Sequence, residues 1–462
     1  MFQAPWQRSS VALLCVLCPS ASSADEALQT ADGYRGIWYS NQSTGDEHHW
    51  KYSGGKATYP HQHNPLAIYA PAARKTFFVY GGTSKEKINL LHMVSYYDHA
   101  TGKVPRPVIL LDKKTGDAHD NPVLQIDEKG FLWVFSNAHG TGRPSFIHRS
   151  RKPYDISSFE LIQETNFSYG QPWHLPGLGF LFMHTKYSKG RGLYWSTSAY
   201  GRTWGEVKTL AHIDQGHYQV TWRDGDRIGS AFNYHPSPQG LNARTNLYYV
   251  ETRDFGKTWR TADGKEITPP LAEEKNPALI HDFHSEGLLV YLKNLQFDGM
   301  GRPVALVVTT KGFEPGPKNG PRMLTTVRWS GETWEIRPVT GVDHNYDHGS
   351  LHIDADGVWR IIAPTEPGPQ PWGCGGEVVL WTSRDQGKTW EKTKQLTRNS
   401  RYNHNYLRLP WNAHPDFHVF WADGNPLDPS ESHLYFTDRE GTRVRRLPEK
   451  MEGEFAEPEE VK

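Results

Sequence analysis

Thr252-Arg-Asp-Phe-Gly-Lys-Thr-Trp259 has two counterparts along the chain, Thr197-Ser-Ala-Tyr-Gly-Arg-Thr-Trp204 before it and Ser383-Arg-Asp-Gln-Gly-Lys-Thr-Trp390 after it. In each, a hydroxyl residue leads into a Gly and then a Thr-Trp pair, and in two copies an Asp precedes the Gly. An Asp there can bond its own turn backbone, a Gly takes positive φ, and a Trp packs between neighbouring sheets. Three hairpins of one kind are expected, and the copy with Ala199 in the Asp position should be less well tied. Working outward, short apolar strand runs recur near Phe78, Trp133, Phe180, Ile228, Val304, Trp359 and Phe420. Their spacing, roughly 50 to 60 residues with one gap near 75, suits one four-stranded blade per run. The expected fold is all-β, a seven-bladed β-propeller. The wide gap has room for an insertion, Pro269 to Pro277, or an extra hairpin around Leu288 to Leu292.

The bulk numbers agree with strands. Aromatics make up 13 % of 462 residues, with 43 Gly and 32 Pro. Fifty-one basic residues balance 51 acidic ones, which argues against nucleic acid or a membrane surface as partner and leaves room for a local basic patch. Residues 1–24 read as a secretory signal, with Arg8, an apolar core from Val11 to Leu17 and small residues to Ala24. The apolar run is too short to span a bilayer. A secreted or periplasmic monomer is expected, with a single propeller over residues 25–448 and a flexible acidic tail over 449–462. Cys15 and Cys18 leave with the signal, so Cys374 has no disulfide partner. Tyr34 to Tyr39 reads as a strand that closes the ring against the last blade.

Candidate chemistry centres on Gly116 to Gly140. His119 and His139 flank a strand-like run, Phe131 to Phe135, and an antiparallel partner ahead of it would bring both imidazoles to one rim. Two imidazoles at a rim are a candidate acid/base pair, since histidine titrates nearest neutrality. Gln62 and His63 precede the first inner strand and form a second candidate site. Lys186, Tyr187 and Arg191 crowd one basic, aromatic hairpin suited to an acidic sugar. Tyr218, Asn233 and Arg244 lie on Gly-rich and Pro-rich stretches that suit binding loops. The C-terminal histidines with Cys374 have no strong metal-motif spacing, so the metal ligands are unknown.

The three turns resemble the Asp-box, or BNR, repeat of sialidase-like propellers. The combination of HDNP at 119–122, SNAHG at 136–140, HTKYSKGRGLYW, GHYQ, AFNYHP, LNARTNLYY, HNYDHGS and APTEPGPQP resembles the BNR-4 type propellers over nearly the whole mature chain. That resemblance implies an ulvan-lyase-like polysaccharide lyase, or a member of the related α-L-rhamnosidase branch. For a lyase it implies a histidine pair, here His119 and His139, with Tyr187 or Tyr218 and Arg191 or Arg244, acting by β-elimination on an acidic polysaccharide. For the rhamnosidase branch it implies Gln62 and His63. No cofactor is needed for either chemistry, and a structural zinc is compatible with the resemblance. A glycan-binding propeller without catalysis is the remaining alternative.

Overall fold

The computed structural model describes residue 1 and residues 27–84 and 89–461; the signal reading falls outside these apart from Met1. Seven antiparallel sheets follow one another along the chain. Their innermost strands are Ala67–Ala70, Pro122–Ile126, Ser168–Leu175, Gln219–Asp224, Leu289–Phe297, Ser350–Ile353 and Asn403–Arg408. Every apolar run picked out in the sequence falls on the second strand of a sheet, from Lys75–Gly82 in the first to Val419–Gly424 in the last. These strands are buried along most of their length because each lies between two other strands and two neighbouring blades. The wide gap belongs to the fourth blade. It holds Trp259–Arg260, Glu266–Ile267 and Leu279–His281 as added strands, whereas Leu289–Phe297 opens the fifth blade.

The repeated turns behave as their side chains dictate. Asp254 accepts from Thr252 Oγ1, Lys257 N, Thr258 N and Thr258 Oγ1 at 2.7 to 3.1 Å, and Asp385 does the same in its own turn. The turn with Ala199 keeps only the Ser198 hydroxyl, which accepts from Gly201 N and donates to Thr203 O. Trp259 is buried edge-on to Trp195 of the preceding blade at 5.3 Å, and Trp204 meets Phe135 of the blade before it at 6.0 Å. A fourth turn of this type, around Asp438, lacks the Trp and escapes the sequence pattern.

Two terminal readings need correction. The stretch Tyr34 to Tyr39 forms no strand with the last blade. Tyr34 N and Gly36 N donate to Pro448 O and Ser432 O, Ile37 N donates to Gly81 O, and a strand starts only at Trp38. Trp38–Ser43 instead pairs with Trp50–Gly55 as a hairpin. Gly55 in that hairpin lies so close to Asp423 that a Cβ would collide with its carbonyl. The acidic stretch from Glu449 to Val461 is not a loose end either. Phe455–Ala456 pairs with Val104–Pro105 of the first blade, and Glu459–Val461 pairs with Val444–Arg446 of the last. The reason is charge and backbone capture. Arg446 pairs with Glu459 at 2.6 Å, and the Arg106 guanidinium takes the carbonyls of Met451, Glu452 and Gly453 at 2.9 to 3.0 Å.

Restoring the missing acceptor should strengthen the weak turn. Ala199→Asp is expected to raise stability by about 1 kcal/mol, and Asp254→Ala to lower it by about 1 to 3 kcal/mol. Urea denaturation midpoints followed by tryptophan fluorescence would check both.

Candidate active site

In every blade the innermost strand starts at the same face, so the loops entering these strands converge there. Pro122–Ile126 runs antiparallel to Leu132–Ser136 with Pro122 opposite Ser136. The residues just before the first strand and just after the second therefore meet. His119 lies on a short 3-10 turn, Ala118–Asp120, capped by Asp117, whose carboxylate accepts from His119 N at 3.0 Å. The His119 and His139 rings stack with centroids 4.0 Å apart and planes 15° from parallel.

Asp117 organises this pair. One carboxylate oxygen meets His119 Nδ1 at 2.6 Å and the other meets His139 Nδ1 at 2.9 Å. An ionised carboxylate only accepts, so both Nδ1 atoms carry a proton, and Nε2 is the atom left to present a lone pair in a neutral ring. His119 Nε2 is met by the hydroxyls of Tyr59 and Tyr52. His139 lines the cavity, and among the described residues its Nε2 has no hydrogen-bond partner. Arg143 holds the far side, pairing with Asp117 and with both oxygens of Asp120, and Asp120 accepts from His139 N at 2.7 Å. Burial would raise the Asp117 carboxyl, but the two histidines overcome it and hold it well below the usual carboxylate range. Burial first, and the adjoining His139 second, push His119 down to about 4 against the pull of Asp117. His119 is thus neutral across the ordinary pH range.

Across the cavity, of about 160 Å³, stand Tyr218, Arg191 and Arg244. The guanidinium carbons of Arg191 and Arg244 lie 5.9 and 4.9 Å from the Tyr218 ring centre. Burial would raise the Tyr218 phenol, but the two arginines outweigh it and the net shift is downward. Tyr187 goes the other way. Burial and the proximity of Tyr218 push it up to about 12, although Arg191 Nε donates to its hydroxyl at 3.2 Å. Opposed shifts in neighbouring groups are a mark of assigned acid and base roles. Lys51, buried near the same arginines, is pushed down to about 6 by desolvation and their charge. Arg191 and Arg244 make this wall cationic, and suited to a carboxylate or sulfate.

Of the residues read from sequence, His119, His139, Tyr218, Arg191, Arg244 and Gln62 line this one cavity. Tyr187 joins it from behind, bonded to Tyr169 and Arg191. Three do not reach it. His63 is fully buried beside Asn137 and Tyr169, and it is His61 that accompanies Gln62 at the cavity wall. Lys186 points to the opposite face of its strand, into a hollow with Phe167 and Trp204. Asn233 is buried as a brace, accepting from Tyr218 N and donating to Val290 O. Sequence reasoning passed over Asp117, Tyr59, Tyr52 and Tyr169. The Asp-Ala-His-Asp run, with an acid on either side of His119, was the signal for the first.

A buried zinc at Cys374 does not fit the donors present. Cys374 Sγ has His344 Nδ1 at 3.4 Å, but that nitrogen already accepts from Tyr346 N, and among the described residues no third ligating atom joins the two within 4.8 Å. Among the described residues, three ligating atoms come within 4.8 Å of one another only at Asp117, His119 and His139 and at His99, His414 and Asp416. At the first of these the carboxylate is already committed to the two Nδ1 protons.

The sequence profile of the BNR repeat-containing family matches residues 84–342. The chain belongs to this family. Among characterised relatives, the PL25 ulvan lyase of Pseudoalteromonas sp. (strain PLSV) is 25 % identical over 440 aligned residues, covering 83 % of this chain and 86 % of that protein. An ulvan lyase of Nonlabens ulvanivorans is 24 % identical, covering 67 % and 72 %. A solved PL25 ulvan lyase superimposes with a TM-score of 0.71 at 17 % identity over 90 % of this chain and 96 % of that one, which shows the shared seven-bladed fold. The family match spans both histidines, both arginines and Tyr218.

Because the folded His119 titrates near 4 and an unfolded one near 6.5, the unfolded chain binds the extra proton between these values. Stability contributed by this group is complete above 6.5 and is lost as pH falls through 4. The wild type should lose up to about 3 kcal/mol more than His119→Gln between pH 6.5 and 4, measured by urea denaturation at each pH.

Proposed function

We propose that the protein is a polysaccharide lyase that cleaves a uronate-containing, ulvan-like polysaccharide by β-elimination. The observation that carries this is the facing of an unpartnered, carboxylate-backed imidazole, His139, and a tyrosine flanked by two arginines, Tyr218, across one cationic cavity. The relatives named as ulvan lyases support the same class, and one of their solved structures is described as bound to -[GlcA(1-4)Rha3S]-.

The proton next to a uronate carboxylate is hard to remove while that carboxylate is charged. Arg191 and Arg244 receive it and disperse the charge that develops in the transition state. His139 Nε2 takes the C5 proton, and Asp117 stabilises the imidazolium through Nδ1. The electron pair forms the C4–C5 double bond, the bond from C4 to the glycosidic oxygen breaks, and that oxygen takes the Tyr218 hydroxyl proton. The Tyr218 phenolate, held by the two arginines, then takes a proton from water, and the His139 imidazolium gives up the C5 proton to solvent, which restores both groups. His119 stacks against His139 and keeps its ring in place. Hydrolysis of the usual kind needs two carboxyl groups across the scissile bond, and the cavity is lined by imidazoles, phenols and guanidiniums instead. The rhamnosidase alternative loses its pair, since His63 is walled off from the cavity.

A secreted or periplasmic location suits a polymer too large to enter the cell, and agrees with the reading of residues 1–24. No helix among the described residues is long and apolar enough to cross a membrane.

Offered ulvan, the protein should generate the ultraviolet absorbance of an unsaturated uronate. His139→Ala and Tyr218→Phe should each lower that rate by about 10²- to 10⁴-fold, with folding checked by circular dichroism. Asp117→Asn should lower kcat with KM little changed and shift the pH profile, as expected of a positioning residue. Rhamnose release without new absorbance would sink the lyase assignment, and tight ulvan binding without turnover would make the protein a binder.

A further inference from the structure

On the face opposite the cavity, at the seam between first and last blades, three metal-ligating side chains from distant parts of the chain meet. His99 follows the strand Leu91–Asp98 of the first blade. His414 and Asp416 lie in the turn between Asn403–Arg408 and Val419–Gly424 of the last. The two imidazole centroids are 3.8 Å apart with planes tilted 41°. Their ligating atoms and that of Asp416 all lie within 4.8 Å of one another. We infer that His99, His414 and Asp416 form a binding site for a divalent transition metal that staples the first blade to the last.

The donor chemistry supports this. His99 keeps Nε2 on the Thr76 hydroxyl at 2.8 Å, while its Nδ1 is buried without a hydrogen-bond partner. A second-shell bond on one ring nitrogen with the other left free is the arrangement that metal-binding histidines use. His414 Nδ1 accepts only from Asp416 N, at 3.1 Å, and lies 3.8 Å from Asp416 Oδ2. Metal bonds of about 2.0 to 2.2 Å to imidazole and carboxylate require these atoms to draw together slightly, and the Asp416 side chain, 53 % exposed, is free to do so. Tyr69 and Tyr97 pack edge-on to His99, and Tyr69 also touches His414, so the rings are held while the carboxylate side stays open to solvent. Two nitrogens and one oxygen with open positions suit zinc or nickel better than calcium or magnesium.

The location gives the site a purpose. The four main strands of the first and last blades each come from one stretch of chain, and the only strand pairing across the seam among the described residues is the two-residue one between Phe455–Ala456 and Val104–Pro105. On this face the seam is bridged by Trp411, which donates to Ala67 O and accepts from Tyr69 N. A metal beside this bridge would bind the folded ring and not the open chain, and so would raise its stability by mass action.

The test uses the full-length mature protein, stripped with EDTA and titrated with Zn²⁺ and then Ni²⁺ by calorimetry and thermal unfolding. Wild type should bind with micromolar affinity and gain several degrees in Tm. His414→Ala and Asp416→Asn, both at partly exposed positions, should each weaken this binding at least tenfold while leaving the lyase rate at 25 °C unchanged. His139→Ala should keep it, which separates this site from the Asp117 cluster. No binding by the wild type, or an equal Tm response in wild type and both seam variants, would overturn the inference.

Discussion

A blade can cover its two faces only with its neighbours, and a ring of blades therefore stands or falls on closing without a gap. This constraint accounts for the large side chains between the sheets, such as Trp259 against Trp195 and Trp204 against Phe135. Replacing a buried Trp of this kind by Ala costs about 3 to 5 kcal/mol. The same constraint produces the site. When every innermost strand begins at one face, loops from blades far apart in sequence are delivered to a single mouth. Tyr52, His119, Tyr218, Arg244 and Tyr346 meet there although nearly 300 residues separate the first from the last.

Within that mouth, charge decides which groups do what. One carboxylate, Asp117, sets the tautomers of two imidazoles, and two guanidiniums lower one tyrosine while its neighbour is raised. Both effects depend on removing water, since the same ion pairs in bulk solvent would contribute little. The cavity thus sets a cationic wall opposite an imidazole held by a carboxylate, which suits the anionic substrate proposed above.

The fold was legible because its signals are local. A turn with Asp, Gly and Trp at fixed offsets, and an apolar run every blade length, can be read without knowing what packs against what. The histidine pair was legible for the same reason, being set by one hairpin register. The rest depended on contacts between blades. Nothing local distinguishes Asn233, a buried brace, from a ligand-binding Asn, or shows that His61 and not His63 turns toward the cavity. Tyr187 and Tyr218 are alike in sequence, and only the arginines on either side of Tyr218 separate them. The acidic stretch from Glu449 looked unstructured because its partners, Arg106 and Val104, lie in the first blade.

That last feature sets the order of assembly. Val104, Pro105 and Arg106 are made early, yet the backbone they bind, from Met451 to Ala456, follows almost 350 residues later. Blades can form one by one as the chain emerges, each hairpin closing over a short loop. Val104 and Arg106 nevertheless lack this cover throughout synthesis, and their docking with the final segment closes a very long loop at a correspondingly high entropic cost. Nascent chains interrupted before Met451 therefore leave Val104, buried in the finished fold, without its covering strand, and exposed apolar surface is what chaperones and aggregation both recognise.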